Sequence, residues 1–423
     1  MKSGLRFCML STYYPPYSYG GDGITLQRLC RALVRAGHDV TVVHDADAYT
    51  RLGHSPPPDH VAEDGVEVVT LRSALGKLSL LLTHQTGRPI VHGAQIAALL
   101  ERGRFDVVNF HNVSLVGGFG LFELARGSAT IYTAHEHWLV CPTHVLWRHR
   151  REPCTGRQCV RCGLTYRRPP QLWRHTAFFE RALTYVDTFI ALSEFSRQKH
   201  REFGFPRDME VLPPIVFDAD AHAIDAPAPR RHDRPYFFYA GRLERIKGLD
   251  DVIPVFRDGT LPADLVIAGK GSHEPELRAL AGDSPHVRFL GHMAPEQLAP
   301  LYRYAIAHIA PSVCFETFGN TLVEAFRQRT PVIARRMGPF PEIVTHAGGG
   351  ELFDDPASLR AAAQRFATDQ AYRDRLGAAG RHAYEATWSE EAIVPRFLEI
   401  VERTLARRSP APVATRPVVA ATR

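Results

Sequence analysis

Two glutamates stand eight positions apart in the stretch CFETFGNTLVEAF, which spans residues 314–326. Between Glu316 and Glu324, the tripeptide Phe-Gly-Asn at 318–320 is typical of a helix start. The N–H groups of the first helical turn, at 319–321, have no partner within the helix and carry the positive end of its dipole, so they can bind a phosphate. The two carboxylates can then accept hydrogen bonds from hydroxyls of the same ligand. Helix capping by Glu316 and a solvated helix face for Glu324 explain these residues equally well.

A pair of cations lies upstream in GRLERIKG, residues 241–248. Arg242 and Lys247 are five positions apart, in a connection from a strand to a helix that begins and ends with glycine. Two cations at such a turn suit a diphosphate, because both side chains bind phosphate oxygens. A solvated charged turn is an equally good account of this local spacing.

Four cysteines lie close together in CPTHVLWRHRREPCTGRQCVRC; they are Cys141, Cys154, Cys159 and Cys162. Four thiolates at this spacing suit a structural, tetrahedral zinc ion. Buried free thiols are the alternative, and an iron–sulfur cluster is a further one. A catalytic metal is not expected there, because four protein ligands leave no open position.

The same segment is rich in arginine, with aromatic side chains between. The arginines are Arg148, Arg150, Arg151, Arg157, Arg161, Arg167, Arg168 and Arg174, and the aromatic residues are Trp147, Tyr166 and Trp173. Such a composition suits the surface of an anionic membrane or a phosphate-bearing lipid. It also suits nucleic acid, and a solvated basic insertion is the plain alternative.

The bulk composition indicates a globular protein. The chain has 423 residues, of which 45% are hydrophobic and 23% charged, with a formal net charge of +6. That charge permits contact with acidic lipids, phosphates or nucleic acid and identifies none of them. No apolar run approaches the ~18 residues of a spanning helix, and the N-terminal apolar run is too short for a signal peptide. We therefore expect a cytoplasmic protein with mostly reduced cysteines, and peripheral contact with the inner face of the plasma membrane is compatible with this composition.

Alternating strands and helices must position these residues. The first half contains short apolar runs at 5–11, 39–44, 66–71, 105–111, 129–135 and 187–193. A second alternation has strands at 236–241, 264–269, 286–291, 307–312 and 331–334. Repeated strand–helix alternation implies parallel sheets covered on both faces. Ligands bind such sheets beyond the carboxyl ends of their strands, which is where the candidate residues fall.

The two alternations divide the chain into domains. A stretch at 213–235, rich in Pro, Ala and charge, reads as a linker. We predict an α/β protein with a Rossmann-like domain at 1–214, which carries the Cys/Arg-rich insertion at about 141–174, and a second Rossmann-like domain at 215–388. A helix at 389–408 would cross back to the first domain, and a disordered tail would follow at 409–423.

These motifs together resemble the retaining glycosyltransferases of family 4, which have the GT-B fold of two Rossmann-like domains facing across a cleft. The resemblance rests on GRLERIKG followed some seventy residues later by PSVCFETFGNTLVEA. The segments AGKGS, PVIARRMGPFPEIV, PPYSYGGDGITLQRL and TAHEHWLVCP match further motifs of that family. The cysteines indicate a subgroup with a Cys-rich segment after the HE-x-W loop. The resemblance covers almost the whole chain.

The resemblance implies roles for the charged residues. Arg242 and Lys247 would neutralise the diphosphate of a nucleotide-sugar donor, Glu324 would bind its ribose, and Glu316 would contact hydroxyls of the transferred sugar. His135 would contact the sugar and orient it for attack. Further donor-binding positions would be Gly20, Gly21, Phe318, Gly319, Asn320, Thr321 and Met293. Of these, the two N-terminal glycines would let the backbone approach the phosphates, and Met293 would lie near the base.

Two positions depart from the family pattern. Glu136 follows the loop histidine where aspartate is commoner, and Arg335-Arg336 occupy a loop that is usually small or acidic. The arginine pair could meet an anionic group on donor or acceptor, but we favour solvated surface for it.

The implied function is transfer of a hexosyl or related sugar from a nucleotide-diphosphate donor to a cell-envelope, lipid-linked or exopolysaccharide-type acceptor. No metal would be required, because two cations and a helix terminus stabilise the leaving diphosphate. Lipid-linked acceptors in the family favour membrane contact over nucleic acid for the arginine-rich segment. The alternatives are a non-catalytic protein that binds a nucleotide sugar or nucleic acid, and a GT-B synthase with a soluble sugar-phosphate acceptor. UDP, GDP and ADP sugars all remain open as donors.

Overall fold

The computed structural model describes residues 4–18, 20–51, 65–216 and 232–408. Most of the predicted linker and the predicted disordered tail at 409–423 lie outside these ranges. Within the described residues, no helix is both long enough and apolar enough to span a membrane.

The first half forms a seven-stranded parallel sheet and a small hairpin. Its strands are β1 (Arg6–Leu10), β2 (Asp39–Asp45), β3 (Val66–Leu71), β4 (Val107–Phe110), β5 (Ala129–Ala134), β6 (Trp147–Arg148), β7 (Glu152–Pro153), β8 (Thr188–Ala191) and β9 (Met209–Val211). The sheet order is β3-β2-β1-β4-β5-β8-β9, and β6 pairs with β7 as the hairpin. The helices are α1 (Gly21–Arg35), α2 (Ala46–Arg51), α3 (Lys77–Thr86), α4 (Gly93–Gly103), α5 (Gly120–Leu124), α6 (Cys159–Thr165), α7 (Ala177–Leu183) and α8 (Glu194–Glu202).

The second half forms a six-stranded parallel sheet. Its strands are β10 (Tyr236–Ala240), β11 (Asp264–Ala268), β12 (Val287–Gly291), β13 (His308–Ala310), β14 (Val332–Arg335) and β15 (Gly350–Phe353), in the order β12-β11-β10-β13-β14-β15. The helices are α9 (Ile253–Phe256), α10 (Glu274–Ala281), α11 (Pro295–Arg303), α12 (Asn320–Arg327), α13 (Phe340–Ala347), α14 (Pro356–Thr368), α15 (Gln370–Ala383) and α16 (Glu390–Arg408). The predicted α/β, GT-B architecture is confirmed.

Alternate residues of the central strands enter apolar clusters on opposite faces of each sheet. On β10, Phe238 packs with the cluster that includes Phe326, while Phe237 packs with the cluster that includes Phe256. Both strand residues are fully buried. Burial on two faces explains why these strands read as continuous apolar runs rather than as an alternating pattern.

The C-terminal helix α16 crosses back to the first domain, as predicted. Phe397 packs in the same cluster as Phe7 of β1, with ring centroids 6.3 Å apart. The hydroxyl oxygens of Thr188 in β8 and Thr404 in α16 lie 2.8 Å apart. The helix α16 therefore packs on the first domain and fastens the two halves together.

Hydrogen bonds also join the two halves directly beside the cleft. The N–H groups of Glu194 and Phe195, at the start of α8, both donate to the carboxylate of Glu342 in α13 at 3.0 Å. A carboxylate at a helix N-terminus meets unpartnered N–H groups and the positive end of the helix dipole. This contact fixes how the second sheet faces the first.

Candidate active site

A glycine-bounded turn brings the two predicted cations to the end of β13. Gly248 has φ +72°, and a Cβ there would lie 2.1 Å from the carbonyl oxygen of Pro311. The N–H of Val313 donates to the carbonyl of Ile246 at 2.9 Å. Only glycine allows both the left-handed backbone and this close approach, so the turn holds Lys247 against the loop that carries Glu316.

Lys247 and Glu316 form an ion pair, with Nζ 2.6 Å from Oε1. The hydroxyl of Ser312 donates to the same oxygen at 2.8 Å. Burial raises the pKa of Glu316, but Lys247, Ser312 and Arg242 together lower it by a larger amount. The net pKa therefore lies below the ordinary glutamate value. Glu316 is therefore an ionised carboxylate whose charge is balanced within the protein. Arg242 is exposed to the cleft.

Helix α12 begins beside this pair with its first N–H groups free of side-chain caps. A Cβ on Gly319 would lie 2.7 Å from Cδ1 of Leu322, so packing requires glycine at this position. Across the cleft, a Cβ on Gly21 would lie 3.4 Å from Nδ2 of Asn320. The glycine loop of the first domain and the α12 N-terminus thus face each other, and both offer backbone N–H groups to an anion.

Glu324 lies farther along α12, on the same side of the cleft. The hydroxyl of Tyr302 donates to its Oε2 at 2.7 Å. Burial raises the pKa of Glu324, while the Tyr302 hydrogen bond and the charge of Arg28 act in the opposite direction. Arg28 belongs to α1 of the first domain, so the two domains share the electrostatics of this carboxylate.

His135, at the end of β5, meets a histidine that sequence reasoning missed. Its Nε2 lies 2.8 Å from Nδ1 of His111, which ends the adjacent strand β4. Burial lowers the pKa of both rings, and for His111 it lies well below the usual value. At neutral pH the two rings are neutral, so one nitrogen donates the hydrogen bond and the other accepts it.

The loop that carries Glu316 is bound to the first domain by three hydrogen bonds. The hydroxyl of Thr317 donates to the carbonyl of His135 at 2.8 Å, and the hydroxyl of Ser193 donates to the carbonyl of Thr317 at 2.7 Å. Nε2 of His137 donates to the carbonyl of Phe315 at 3.1 Å. The candidate catalytic groups of the two domains are therefore positioned relative to each other.

A cleft of about 1090 Å³ runs between the two domains. With one exception, the catalytic and donor-binding residues predicted from the sequence all line it; they are Gly20, Gly21, His135, Arg242, Lys247, Glu316, Phe318, Gly319, Asn320, Thr321 and Glu324. The exception is Met293, which is half-buried against the apolar cluster of the second domain. A contact between Met293 and a nucleotide base stays a prediction.

Further groups at or directly behind the cleft wall could have been found from their place at strand ends. His111 and Ser312 end the predicted strands at 105–111 and 307–312, where ligands bind a parallel sheet. Asp22 follows the first glycine pair and accepts a hydrogen bond from Nδ2 of Asn112 at 3.1 Å. Tyr302 carried no sequence signal, since it lies in a helix pattern.

The interpretation of Arg335 as solvated surface is wrong. Arg335 is buried, and its guanidinium donates to Asp251 at 2.6 Å and to the carbonyl of Pro311 at 3.0 Å. It ends β14 and faces inward, where it holds the loop after β13. Arg336 is exposed and pairs with Asp354 at 3.1 Å, as surface residues do.

The cysteine-rich segment is more folded than a solvated insertion. Trp147 and Trp173 are buried, and the guanidinium of Arg174 lies 4.9 Å from the ring centroids of both Trp138 and Trp173. These residues form the interior of the segment, so they are not available as surface contacts. The exposed arginines are Arg150, Arg151, Arg157, Arg161, Arg167 and Arg168.

The four predicted zinc ligands lie in this segment without forming a complete site. Cys141 is buried and the other three, Cys154, Cys159 and Cys162, are half-buried. Burial raises the pKa of the Cys154 and Cys159 thiols. Within the described ranges, no three of the four sulfurs lie within 4.8 Å of one another. A structural zinc here stays a prediction that requires the sulfurs to move closer.

Both halves of the chain match known family models. Residues 19–219 match the model for Glycosyltransferase Family 4, and residues 220–383 match the model for Glycosyl transferases group 1. The chain is 26% identical to a glycogen synthase from Mycobacterium tuberculosis, over 96% of this chain and 100% of the relative.

One further sequence and one solved structure are also similar to this chain. A GDP-mannose-dependent alpha-(1-6)-phosphatidylinositol monomannoside mannosyltransferase from Mycobacterium tuberculosis is 32% identical over 52% of this chain and 62% of its own length. The structure of sucrose-phosphate synthase from Thermosynechococcus elongatus superposes with a TM-score of 0.70 at 20% identity, covering 95% of this chain and 100% of that one. This structural likeness shows the shared fold.

Proposed function

We propose that this chain, whose two halves match glycosyltransferase family models and which has the GT-B fold, moves a sugar from a nucleotide-diphosphate donor to an acceptor with retention of configuration. The observation that carries the proposal is the convergence on one cleft of a helix N-terminus, two cations, two carboxylates and the histidine His135. One relative's name specifies a GDP-mannose donor, which supports a nucleotide sugar here.

The donor would lie along the loop and helix at 314–327. The diphosphate would meet the N–H groups at the start of α12, together with Arg242 and Lys247. The ribose hydroxyls would donate to Glu324 and the sugar hydroxyls to Glu316. The two glutamates thus bind opposite ends of one ligand whose phosphates lie between them.

The chemistry follows from where charge develops. As the glycosidic bond breaks, negative charge grows on the departing diphosphate, where the two cations and the helix end are already in place. These groups supply the positive charge that the leaving group needs, so we propose that catalysis requires no metal. The departing phosphate oxygen would take the acceptor's proton, so the acceptor attacks the face from which the diphosphate leaves.

Glu316 is a poor candidate for a covalent nucleophile. Its Oε1 already accepts hydrogen bonds from Lys247 and Ser312, which hold the carboxylate and neutralise part of its charge. We assign it instead to binding the transferred sugar. The neutral His135–His111 pair would orient that sugar from the other domain.

For the acceptor, we propose a lipid-linked or cell-envelope saccharide presented at a membrane surface. Every large hydrophobic residue that is exposed in the described part of the chain lies on α3, just before or after it, or in the arginine-rich segment; they are Leu75, Leu78, Leu81, Ile90, Val160, Leu164 and Leu172. The indole of Trp173 donates to the carbonyl of His84 at 3.0 Å, which joins the two elements. Leu81 and His84 also line the cleft. Apolar side chains among exposed arginines at the cleft mouth suit an anionic lipid surface.

The donor is tested by screening UDP, GDP and ADP sugars for thermal stabilisation of the purified protein. A stabilising donor is then incubated with saccharide and lipid-linked acceptors. We expect one donor to be consumed, a product heavier by one glycosyl unit, and an anomeric NMR signal that reports retention. A protein that neither hydrolyses nor transfers from any of these donors contradicts catalysis, and a soluble sugar-phosphate product would replace the lipid-linked acceptor.

The membrane surface is tested by co-sedimentation with vesicles. We expect binding to vesicles that contain phosphatidylglycerol, weakened by salt, and little binding to phosphatidylcholine alone. Leu75→Glu/Leu78→Glu should abolish it. Ala361→Glu/Gln364→Glu adds negative charge at two exposed positions of α14 and should lower binding only slightly. Equal binding by both double variants would rule out this surface.

A further inference from the structure

Three metal-binding side chains from separate elements meet outside the cleft. Asp45 ends β2, Asp47 lies in the first turn of α2, and His92 directly precedes α4. One ligand atom from each lies within 4.8 Å of the other two. None of the three lines the cleft between the domains, so they belong to a different site.

Two of these side chains are buried with a polar atom unused. Asp45 has no exposed surface and His92 is 4% exposed, yet Oδ2 of Asp45 and Nε2 of His92 have no hydrogen-bond partner. The other oxygen of Asp45 accepts a hydrogen bond from the N–H of Asp47 at 2.8 Å. Oδ2 of Asp47 accepts one from the N–H of Ser73 at 2.9 Å. Backbone groups thus hold both carboxylates in place and leave Asp45 Oδ2 unsatisfied.

Unsatisfied atoms of this kind are costly in a protein interior. An ionised carboxylate without a partner loses its hydration and gains nothing in return. Among the described residues, neither Asp45 nor Asp47 forms a salt bridge with a lysine or arginine side chain. Two carboxylates and an imidazole without a balancing cation point to an ion that the protein binds.

We propose that Asp45, Asp47 and His92 bind a divalent transition-metal ion, Zn²⁺ or Mn²⁺. Metal–ligand bonds of about 2.0–2.2 Å place three ligand atoms on one ion roughly 3.3–3.8 Å from one another. The three ligand atoms, which lie within 4.8 Å of one another, therefore need to close by at most about 1.5 Å on binding. Carboxylates with imidazole are a donor set for these ions, and three protein ligands leave positions for water.

The ion would serve the wall of the cleft that the first domain forms. Ala48, one turn of helix beyond Asp45, lines the cleft and packs with Tyr13 and Leu80. A metal that joins the start of α2 to the start of α4 holds this wall in one position. Because its ligands lie outside the cleft, the ion is distinct from the transfer chemistry proposed above.

A proton is the competing occupant. Burial raises the pKa of Asp45 to about 7, so without a metal this carboxyl is partly protonated near neutral pH. A protonated Asp45 would leave the three side chains together as a metal-free cluster in which the buried Asp45 carboxyl carries no charge. Direct measurement of metal binding separates the two occupants.

The experiment uses the full-length protein, freed of metal with a chelator and titrated with Mn²⁺. Manganese is chosen because it prefers carboxylate and imidazole ligands to thiolates, so the cysteine segment does not interfere. We expect one bound Mn²⁺ per chain, a nitrogen coupling in its electron spin-echo signal from the imidazole, and a rise in Tm. Asp47→Asn should weaken binding by roughly 100-fold or more, and His92→Gln should also remove the nitrogen coupling.

Two substitutions match these variants in chemistry and lie elsewhere. Glu101→Gln, on the exposed face of α4, and His382→Gln, on α15, should bind Mn²⁺ like the parent protein. Folding of each variant is checked by circular dichroism. Absence of Mn²⁺ and Zn²⁺ binding, or binding that Asp47→Asn and His92→Gln leave unchanged, would overturn the proposal and leave the proton as the occupant.

Discussion

The Lys247–Glu316 pair gives the sharpest test, because it separates stability from transfer. Nζ and Oε1 lie 2.6 Å apart, and the side chains are only 19% and 23% exposed. Lys247→Met removes the charge at similar volume and leaves Glu316 with Ser312 and the more distant Arg242. Breaking one partner of a partly buried pair should lower the free energy of unfolding by about 1–3 kcal/mol. Glu316→Gln should cost a similar amount.

The double variant Lys247→Met/Glu316→Gln should behave differently for stability and for transfer. With no charge left unpaired, its free energy of unfolding should return towards the parent value. Its transfer rate should stay low, because the lysine charge that meets the departing diphosphate is still missing. Loss of one electrostatic stabiliser of a transition state lowers kcat by about 10²–10³-fold.

The assay combines urea denaturation with initial rates of product formation for the parent, both single variants and the double variant. A double-mutant cycle then gives the coupling energy of the pair. Arg242→Gln is the comparison, since its exposed side chain should lose transfer with little loss of stability. Additive stability losses would show that the pair does not form, and a double variant within tenfold of the parent rate would refute the charge argument.

Two further predictions follow from buried titrating groups. Glu324→Gln should raise the KM for the donor by about tenfold with kcat little changed, because one hydrogen bond to a charged group is lost. The control variant Tyr302→Phe should raise this KM less. An unchanged KM in Glu324→Gln would contradict ribose binding. Burial lowers the pKa of His200 to about 4 from 6.5, so the unfolded chain takes up this proton first as pH falls. The contribution of His200 to the free energy of unfolding is therefore complete above about pH 6.5. It declines as the pH drops to about 4, by up to about 1.4 kcal/mol per pH unit. His200→Gln should flatten this slope in urea titrations, and an identical slope would show that His200 does not cause it.

Most of the strands that the sequence revealed have nearly every side chain buried. Runs such as YFFYA in β10 have every side chain buried, which makes them continuous and apolar. The edge strands β3 and β12 were also predicted, because their runs are still largely apolar. The edge strands β9 and β15 escaped prediction because MEV and GELF are shorter and partly polar. An edge strand pairs with one neighbouring strand only. This pairing uses backbone groups, so it does not require an apolar sequence in the edge strand.

The candidate site likewise contains features that one short segment predicts and contacts between residues far apart in the sequence. The spacing of Glu316 and Glu324 about a helix start is local, so one segment predicts it. The contacts of His135 with His111 and of Lys247 with Glu316 span 24 and 69 positions. Strand order creates them: β4 lies beside β5, with Phe110 opposite Tyr132, and both histidines follow at the same sheet edge. Sequence periodicity does not give strand order, so these pairs could not be predicted.

Carboxylates on both sides of an anion site look like an electrostatic contradiction, and the structure resolves it. The charge of Glu316 is balanced by Lys247, while burial raises the pKa of Glu324 and Tyr302 donates to one of its oxygens. Neither carboxylate presents a full uncompensated charge to a diphosphate between them. The pairing also keeps Lys247 in position before the donor arrives, so ordering this side chain costs little when the diphosphate binds. Glu316 thus acts twice in our proposal, since it holds the lysine in place and binds the sugar that the lysine helps to release.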